Sequence, residues 1–159
     1  MRLSEMLVEL AEAGVDFVVV GGIAAGVHGS TRVTFDLDIC YDPAPNNRAR
    51  LAAVLTTWDA GLRGADPGLP FLLDARALET SHVLTLTTRL GDIDVMDAVE
   101  GVGPFADVYE RAVDVELAGR RFRVLDLPAL LRAKRATGLP KDAEQIPELE
   151  ALVELRKRR

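Results

Sequence analysis

The chain is expected to be α/β, with a mixed β-sheet flanked by helices and a helical C-terminus. Three observations point there. Phe17–Val20 is an apolar run that ends in Gly21-Gly22 and leads through a short helical stretch into Thr34-Phe35-Asp36-Leu37-Asp38-Ile39, where charged and apolar residues alternate. Two more strand pairs with turn residues between them follow, at 83–96 and 113–125. From Leu127 onward the pattern is helical. Strand-period and helix-period segments interleaved in this way bury helices against a sheet.

Each element has a local reason. Ser4 suits the cap of a first helix reaching about residue 13, with Leu3, Met6, Leu7, Leu10 and Ala11 as its apolar stripe and Gly14 as its stop. Residues 17–20 read as a buried strand, and residues 23–27 as a short helix after a two-glycine turn. Residues 28–32 form a loop into the aspartate strand, which Asp42-Pro43-Ala44-Pro45 ends. Asn46 looks like the cap of a helix to about Trp58, carrying Leu51, Val54 and Leu55 on its apolar side. Residues 61–70 are rich in glycine and proline and read as a loop, while 71–80 fit either a short helix or irregular chain. Val83, Leu84 and Leu86 mark a strand that Gly91 turns into the antiparallel strand 92–96. Pro104 suits the first position of a helix to residue 111. Residues 113–117 and 122–125 pair as a hairpin around Ala118-Gly119-Arg120. Residues 127–137 are helical between Pro128 and Gly138, and the last helix starts near Lys141, with a break expected at Pro147.

Side chains on a strand alternate faces, so Asp36 and Asp38 share one face, and Phe35, Leu37 and Ile39 share the other. The strand at 92–96 repeats the pattern, with Asp92 and Asp94 against Ile93 and Val95. If the two strands are neighbours, three or four carboxylates converge. Unpaired, they would repel at high cost. A hard divalent cation such as magnesium, which prefers oxygen ligands, removes the conflict. Backbone N–H groups at the glycine turn nearby could hold a phosphate. A metal-bound nucleotide is the natural ligand.

Composition narrows the function classes. A length of 159 residues suits one domain spanning 1–159 with a real core. A net charge of −6 argues against a broad nonspecific DNA-binding surface, though not against an RNA end held in a local basic groove. The single cysteine, Cys40, rules out an intramolecular disulfide and a cysteine zinc site. No apolar run reaches the roughly 18 residues of a membrane helix. Glu5, Glu9 and Glu12 are unlike a secretory leader, so the cytoplasm is the expected location. Position 23 is Ile, so Gly-x-Gly-x-x-Gly fails, and no Gly-Lys-Ser/Thr follows the glycines as a Walker A loop requires.

The string Gly-Gly-Ile-Ala-Ala-Gly-Val-His-Gly-Ser-Thr-Arg-Val-Thr-Phe-Asp-Leu-Asp, followed by Asp94 on a later strand, resembles the nucleotidyltransferase superfamily that includes DNA polymerase beta. It is similar to the small bacterial AbiEii/MenT-like and DUF6036-type enzymes, many of them toxins of toxin–antitoxin pairs. Leu130-Leu131-Arg132-Ala133-Lys134 and Gly138-Leu139-Pro140-Lys141-Asp142 extend the likeness, while residues 59–82 match least. The resemblance implies a polymerase-beta-like nucleotidyltransferase fold and transfer of a nucleoside monophosphate from a nucleoside triphosphate to an acceptor hydroxyl. It implies Asp36, Asp38 and Asp94 as magnesium ligands in a two-ion site, with Asp94 also the base toward the acceptor. Gly21 and Gly22 would hold the triphosphate, Lys134 would neutralise phosphate charge, and Asp142 would complete the pocket. Ser30 and Arg32 are further nucleotide-binding candidates, Arg32 by its charge. The implied acceptor is the 3′ end of tRNA, with a cognate antitoxin as protein partner. An antibiotic acceptor of the lincosamide or aminoglycoside type, a protein hydroxyl, and a non-catalytic nucleotide-binding or antitoxin-like module remain open.

Other residues have plainer readings. His28 is read as a loop hydrogen-bonder and His82 as a strand-start residue without a special role. Cys40 is read as a small half-buried residue on the carboxylate face, not a nucleophile. Trp58 fits the helix core. Lys134 would by itself pass for a surface lysine, and Asp142 for a first-turn charge on its helix. The basic tail Arg156-Lys157-Arg158-Arg159 is read as a solvated helix end.

Overall fold

The computed structural model describes residues 1–66, 68 and 70–158. Pro67 and Leu69 of the predicted loop, and Arg159 of the basic tail, lie outside the described residues. The first helix, α1 (Leu3–Glu12), buries Met6, Leu7 and Leu10. Its N-cap is Arg2 without a side-chain cap bond, and Ser4 sits inside the first turn. All four residues of β1 (Phe17–Val20) are buried. The glycine pair makes the corner: Gly21, at φ +64, turns the chain out of β1, and α2 (Gly21–Val27) follows without an intervening loop. In β2 (Asp36–Tyr41) alternation starts only at Asp36. Phe35, expected on the apolar face, lies ahead of the strand and is 79% exposed.

Helix α3 (Pro45–Thr57) is entered from Ala44 rather than from Asn46. The residue that anchors it is Asn47, which is buried. Its side chain accepts from the Asp16 N–H at 2.7 Å and donates to the Asp16 and Asp42 carbonyls at 3.0 and 2.8 Å. The stretch read as a loop opens with a two-residue strand, β3 (Gly61–Leu62), and the ambiguous stretch contains a helix, α4 (Ala75–Thr80). Asp74 decides the latter by accepting from the Ala77 N–H at 2.9 Å, a side-chain N-cap. The expected hairpin is β4 (Val83–Thr88) with β5 (Gly91–Met96). A small ladder follows, β6 (Ala98–Val99) with β7 (Gly103–Pro104), and Pro104 then caps α5 (Phe105–Glu110).

The second hairpin joins β8 (Ala112–Leu117) to β9 (Arg120–Leu125). Helix α6 (Leu127–Thr137) is capped by Asp126, which accepts from the Ala129 N–H at 2.8 Å, and ends at left-handed Gly138. Helix α7 (Pro140–Lys157) runs unbroken through Pro147, where a break was expected. An internal proline costs about 3 kcal/mol. Packing offsets it: Leu149 is fully buried, and Ile146, Leu152 and Val153 pack on the core.

Seven strands make one mixed sheet in the order β3-β4-β5-β2-β1-β9-β8. Strand β2 lies antiparallel to β1 and parallel to β5, and β1 lies parallel to β9. Leu37 and Ile39 of β2 and Ile93 and Val95 of β5 are buried in one cluster with Met6, Leu10, Leu51, Leu55 and Trp58. The Trp58 Nε1 donates to Glu9 at 3.0 Å, so its one polar atom is satisfied and the ring serves the core. The carboxylates occupy the other face of the sheet.

Candidate functional site

Parallel pairing of β2 and β5 sets Asp36 beside Asp92 and Asp38 beside Asp94. One carboxylate oxygen from each of Asp36, Asp38 and Asp94 lies within 4.8 Å of the other two. The consequence is electrostatic. The Asp38 carboxyl is pushed up to about 8, first by burial and then by the charges of Asp36 and Asp94. Burial also raises Asp94, against the opposing pull of Arg63. The three carboxylates are hard oxygen donors, close enough for one small ion to bridge. The set fits a divalent cation.

A cavity of about 220 Å³ opens onto these groups, lined also by Gly22, Arg32, Thr34, Lys134, Lys141 and Asp142. The glycine pair makes the cluster possible by its lack of side chains. A Cβ on Gly21 would overlap the Asp38 carboxylate, and one on Gly22 would lie 2.7 Å from the Thr34 hydroxyl. The loop bearing Arg32 and Thr34 is pinned to α7. The Ser30 hydroxyl donates to Glu148 and accepts from Gln145 at 3.2 Å, the Thr31 hydroxyl donates to Glu148 at 2.9 Å, and Arg32 donates to the Lys141 carbonyl at 2.9 Å. Ser30, expected at the nucleotide, is thus engaged with α7 and does not line the cavity. Arg32 does line it.

From α6, Lys134 reaches the site and donates to Asp142 at 2.9 Å, and the Thr137 hydroxyl donates to the other Asp142 oxygen at 2.5 Å. Burial works to raise the Asp142 carboxyl, but the Thr137 and Lys134 bonds outweigh it and hold it below the usual range. Its contribution to stability is therefore present above the unfolded value of 3.8 and is lost as pH falls through the lower folded value. Asp142→Asn leaves Lys134 without a counter-charge. It is expected to cost about 1–3 kcal/mol at pH 7 in urea unfolding, and progressively less as pH falls through the lowered folded value, where wild type loses the same contribution.

Arg63 was not foreseen. It follows β3, and its backbone N–H donates to the Thr85 carbonyl at 3.0 Å. Its side chain crosses β4 to the acidic face, with Nη2 2.7 Å from Asp94, Nε 3.4 Å from Asp92 and Nη1 4.0 Å from Asp36. Asp38 has no arginine partner among the described residues, so the guanidinium engages one side of the cluster and leaves the other open to the cavity. A two-residue strand inside a glycine-rich stretch carries no periodicity to read.

Three further residues stand apart from the chemistry. His28 is buried, with Nε2 2.8 Å from the Leu125 carbonyl. Burial lowers its pKa. The Cys40 thiol is fully buried rather than half-buried and is pushed up to about 12, chiefly by that burial, so it is no nucleophile. His82 is exposed at the start of β4, with Nδ1 3.2 Å from Asp97.

No protein-family model matches the chain, and no curated protein matches it. Solved structures do. A candidate nucleotidyltransferase of Thermotoga maritima is 18% identical, with a TM-score of 0.55, over 100% of this chain and 97% of its own. ANT(2″)-Ia in complex with adenylyl-2″-tobramycin is 15% identical, with a TM-score of 0.59, over 98% and 95%. The solution structure of ANT(2″)-Ia, described as an antibiotic-resistance factor, is 14% identical, with a TM-score of 0.56, over 99% and 91%. At these identities the likeness establishes the fold, and it is the nucleotidyltransferase fold. No helix among the described residues is long and apolar enough to cross a membrane.

Proposed function

We propose that the chain is a metal-dependent nucleotidyltransferase that moves a nucleoside monophosphate from a nucleoside triphosphate to an acceptor hydroxyl. The observation that carries this is the convergence of Asp36, Asp38 and Asp94 on a cavity that also holds Lys134, Lys141 and Arg32. Magnesium held by the three carboxylates would supply charge neutralisation at the α-phosphate and a more acidic acceptor hydroxyl. Lys134, Lys141 and Arg32, which line the cavity, would supply positive charge to the β- and γ-phosphates leaving as pyrophosphate. Asp94 would accept the proton of the acceptor hydroxyl, whose oxygen then bonds to the α-phosphorus as the bond to pyrophosphate breaks. The AbiEii/MenT-like resemblance favours RNA as acceptor, the 3′ end of tRNA in particular, and a toxin-like role with an antitoxin partner. Lys141 at the cavity and the basic end of α7 agree with a polyanionic acceptor.

A second reading, an antibiotic acceptor, draws on the fold neighbour whose structure holds adenylyl-2″-tobramycin. One experiment separates them. The protein is incubated with each labelled triphosphate and magnesium, together with total RNA in one arm and tobramycin in the other. Label at an RNA 3′ end supports the first reading, and label on the drug alone supports the second. Intact triphosphate in both arms, and in a third arm with a co-expressed protein partner, rejects transferase activity.

A further inference from the structure

We propose that Arg63 is the resident counter-cation of the acidic cluster, and that it competes with the divalent ion for Asp94. This rests on reading Asp36, Asp38 and Asp94 as the cation site, and it concerns a residue that neither the fold nor the glycine–aspartate pattern assigns. Four carboxylates on two adjacent strands need positive charge whenever no ion is bound. Arg63 supplies it from two strands away. Its guanidinium makes a short charge-assisted bond to Asp94, of the kind roughly twice as strong as a neutral one, and it also faces Asp92 and Asp36.

Two details indicate that this hold is meant to be exchanged. First, the Asp94 oxygen that Arg63 uses belongs to one of the three carboxylates near enough to share an ion, and an oxygen committed to a guanidinium is a poorer ligand. Second, the Arg63 Nε is shut off from solvent without a well-aligned acceptor, although an Asp92 oxygen lies only 3.4 Å away. A small shift of the guanidinium toward Asp92 satisfies Nε and frees Asp94. Asp92, the one carboxylate of the cluster without a catalytic assignment, thereby acquires a role. It keeps Arg63 in place once the ion has taken Asp94.

The test is Mn²⁺ binding to the purified full chain, followed by loss of the free-ion EPR signal, with thermal melting in EDTA and at saturating Mn²⁺. Arg63→Gln is expected to bind Mn²⁺ about tenfold or more tightly, the scale of one charge-assisted hydrogen bond. It is also expected to melt lower than wild type in EDTA, and to recover most of that loss with Mn²⁺. Arg63→Lys keeps the charge but not the fork that spans the carboxylates, and it too should bind more tightly than wild type. Unchanged or weaker Mn²⁺ binding in Arg63→Gln overturns the proposal. So does an Arg63→Lys protein that matches wild type, because the effect would then be remote charge and not competition. If neither wild type nor either variant binds Mn²⁺, the cation-site reading itself has failed.

Discussion

Asp38→Asn is expected to lower nucleotide transfer by about a thousandfold or more, while leaving the metal-free protein no less stable at pH 8. The loss follows from position. Asp38 is one of the three carboxylates that would hold the ion, and it faces the same cavity as Lys134 and Arg32. The preserved stability follows from linkage. With its folded value raised to about 8 from 3.8, the ionised form of Asp38 is disfavoured by the fold. Its contribution is fully present below about pH 4 and is lost as pH rises through 8, because the unfolded chain gives up the proton first. Asparagine cannot ionise, so that decline disappears. Melting temperatures in EDTA between pH 5 and about pH 9 check it: wild type should fall with pH relative to Asp38→Asn. Parallel curves would show that the carboxylates are not in conflict, and full transfer by the variant would remove Asp38 from the mechanism.

Gly21→Ala is expected to cost about 2–4 kcal/mol in stability and to take most of the activity with it. The backbone there has φ +64, which an alanine adopts only under strain. The new Cβ would also lie 2.8 Å from Asp38 Cγ and 2.9 Å from its Cβ. Because that Cβ is fixed to strand β2, the side chain cannot swing aside, and α2 and β2 must separate. Gly26 of the same helix is the control, since no atom lies within 4 Å of a Cβ built on it. Gly26→Ala should be neutral or stabilise by about 0.5–1 kcal/mol. Urea unfolding of both variants, with the transfer assay beside it, checks the pair. Equal effects at the two positions would mean that the glycines serve no contact with the carboxylates.

Much of the site was legible because alternation is a local rule. Asp36 with Asp38, and Asp92 with Asp94, share faces whatever else the chain does, and the structure keeps both pairs. Phe35 was misplaced because the same rule was extended one residue past the start of β2. The bounds of α6 were legible from Pro128 and Gly138, although its side-chain cap, Asp126, emerged only in the structure. Capping misled at Ser4 and Asn46, where tertiary contacts such as those of Asn47 with Asp16 and Asp42 set the helix start. Pro147 stands as a warning about strong local signals, since packing along α7 outweighs the bond that proline removes.

Residue order along the chain was enough to establish which side chains share a strand face, that Gly21-Gly22 adjoins an acidic strand, and that neither a Walker loop nor a dinucleotide fingerprint is present. Folding settled the rest: the register that places Asp38 against Asp94, the bond that brings Lys134 to Asp142, the pinning of Ser30 to Glu148, and the reach of Arg63 to Asp94 from an edge strand. The difference is one of range. Periodicity and turn chemistry act over a few residues, whereas these contacts join positions 8 to 118 residues apart, and their partners are chosen by packing and by the need to neutralise buried charge.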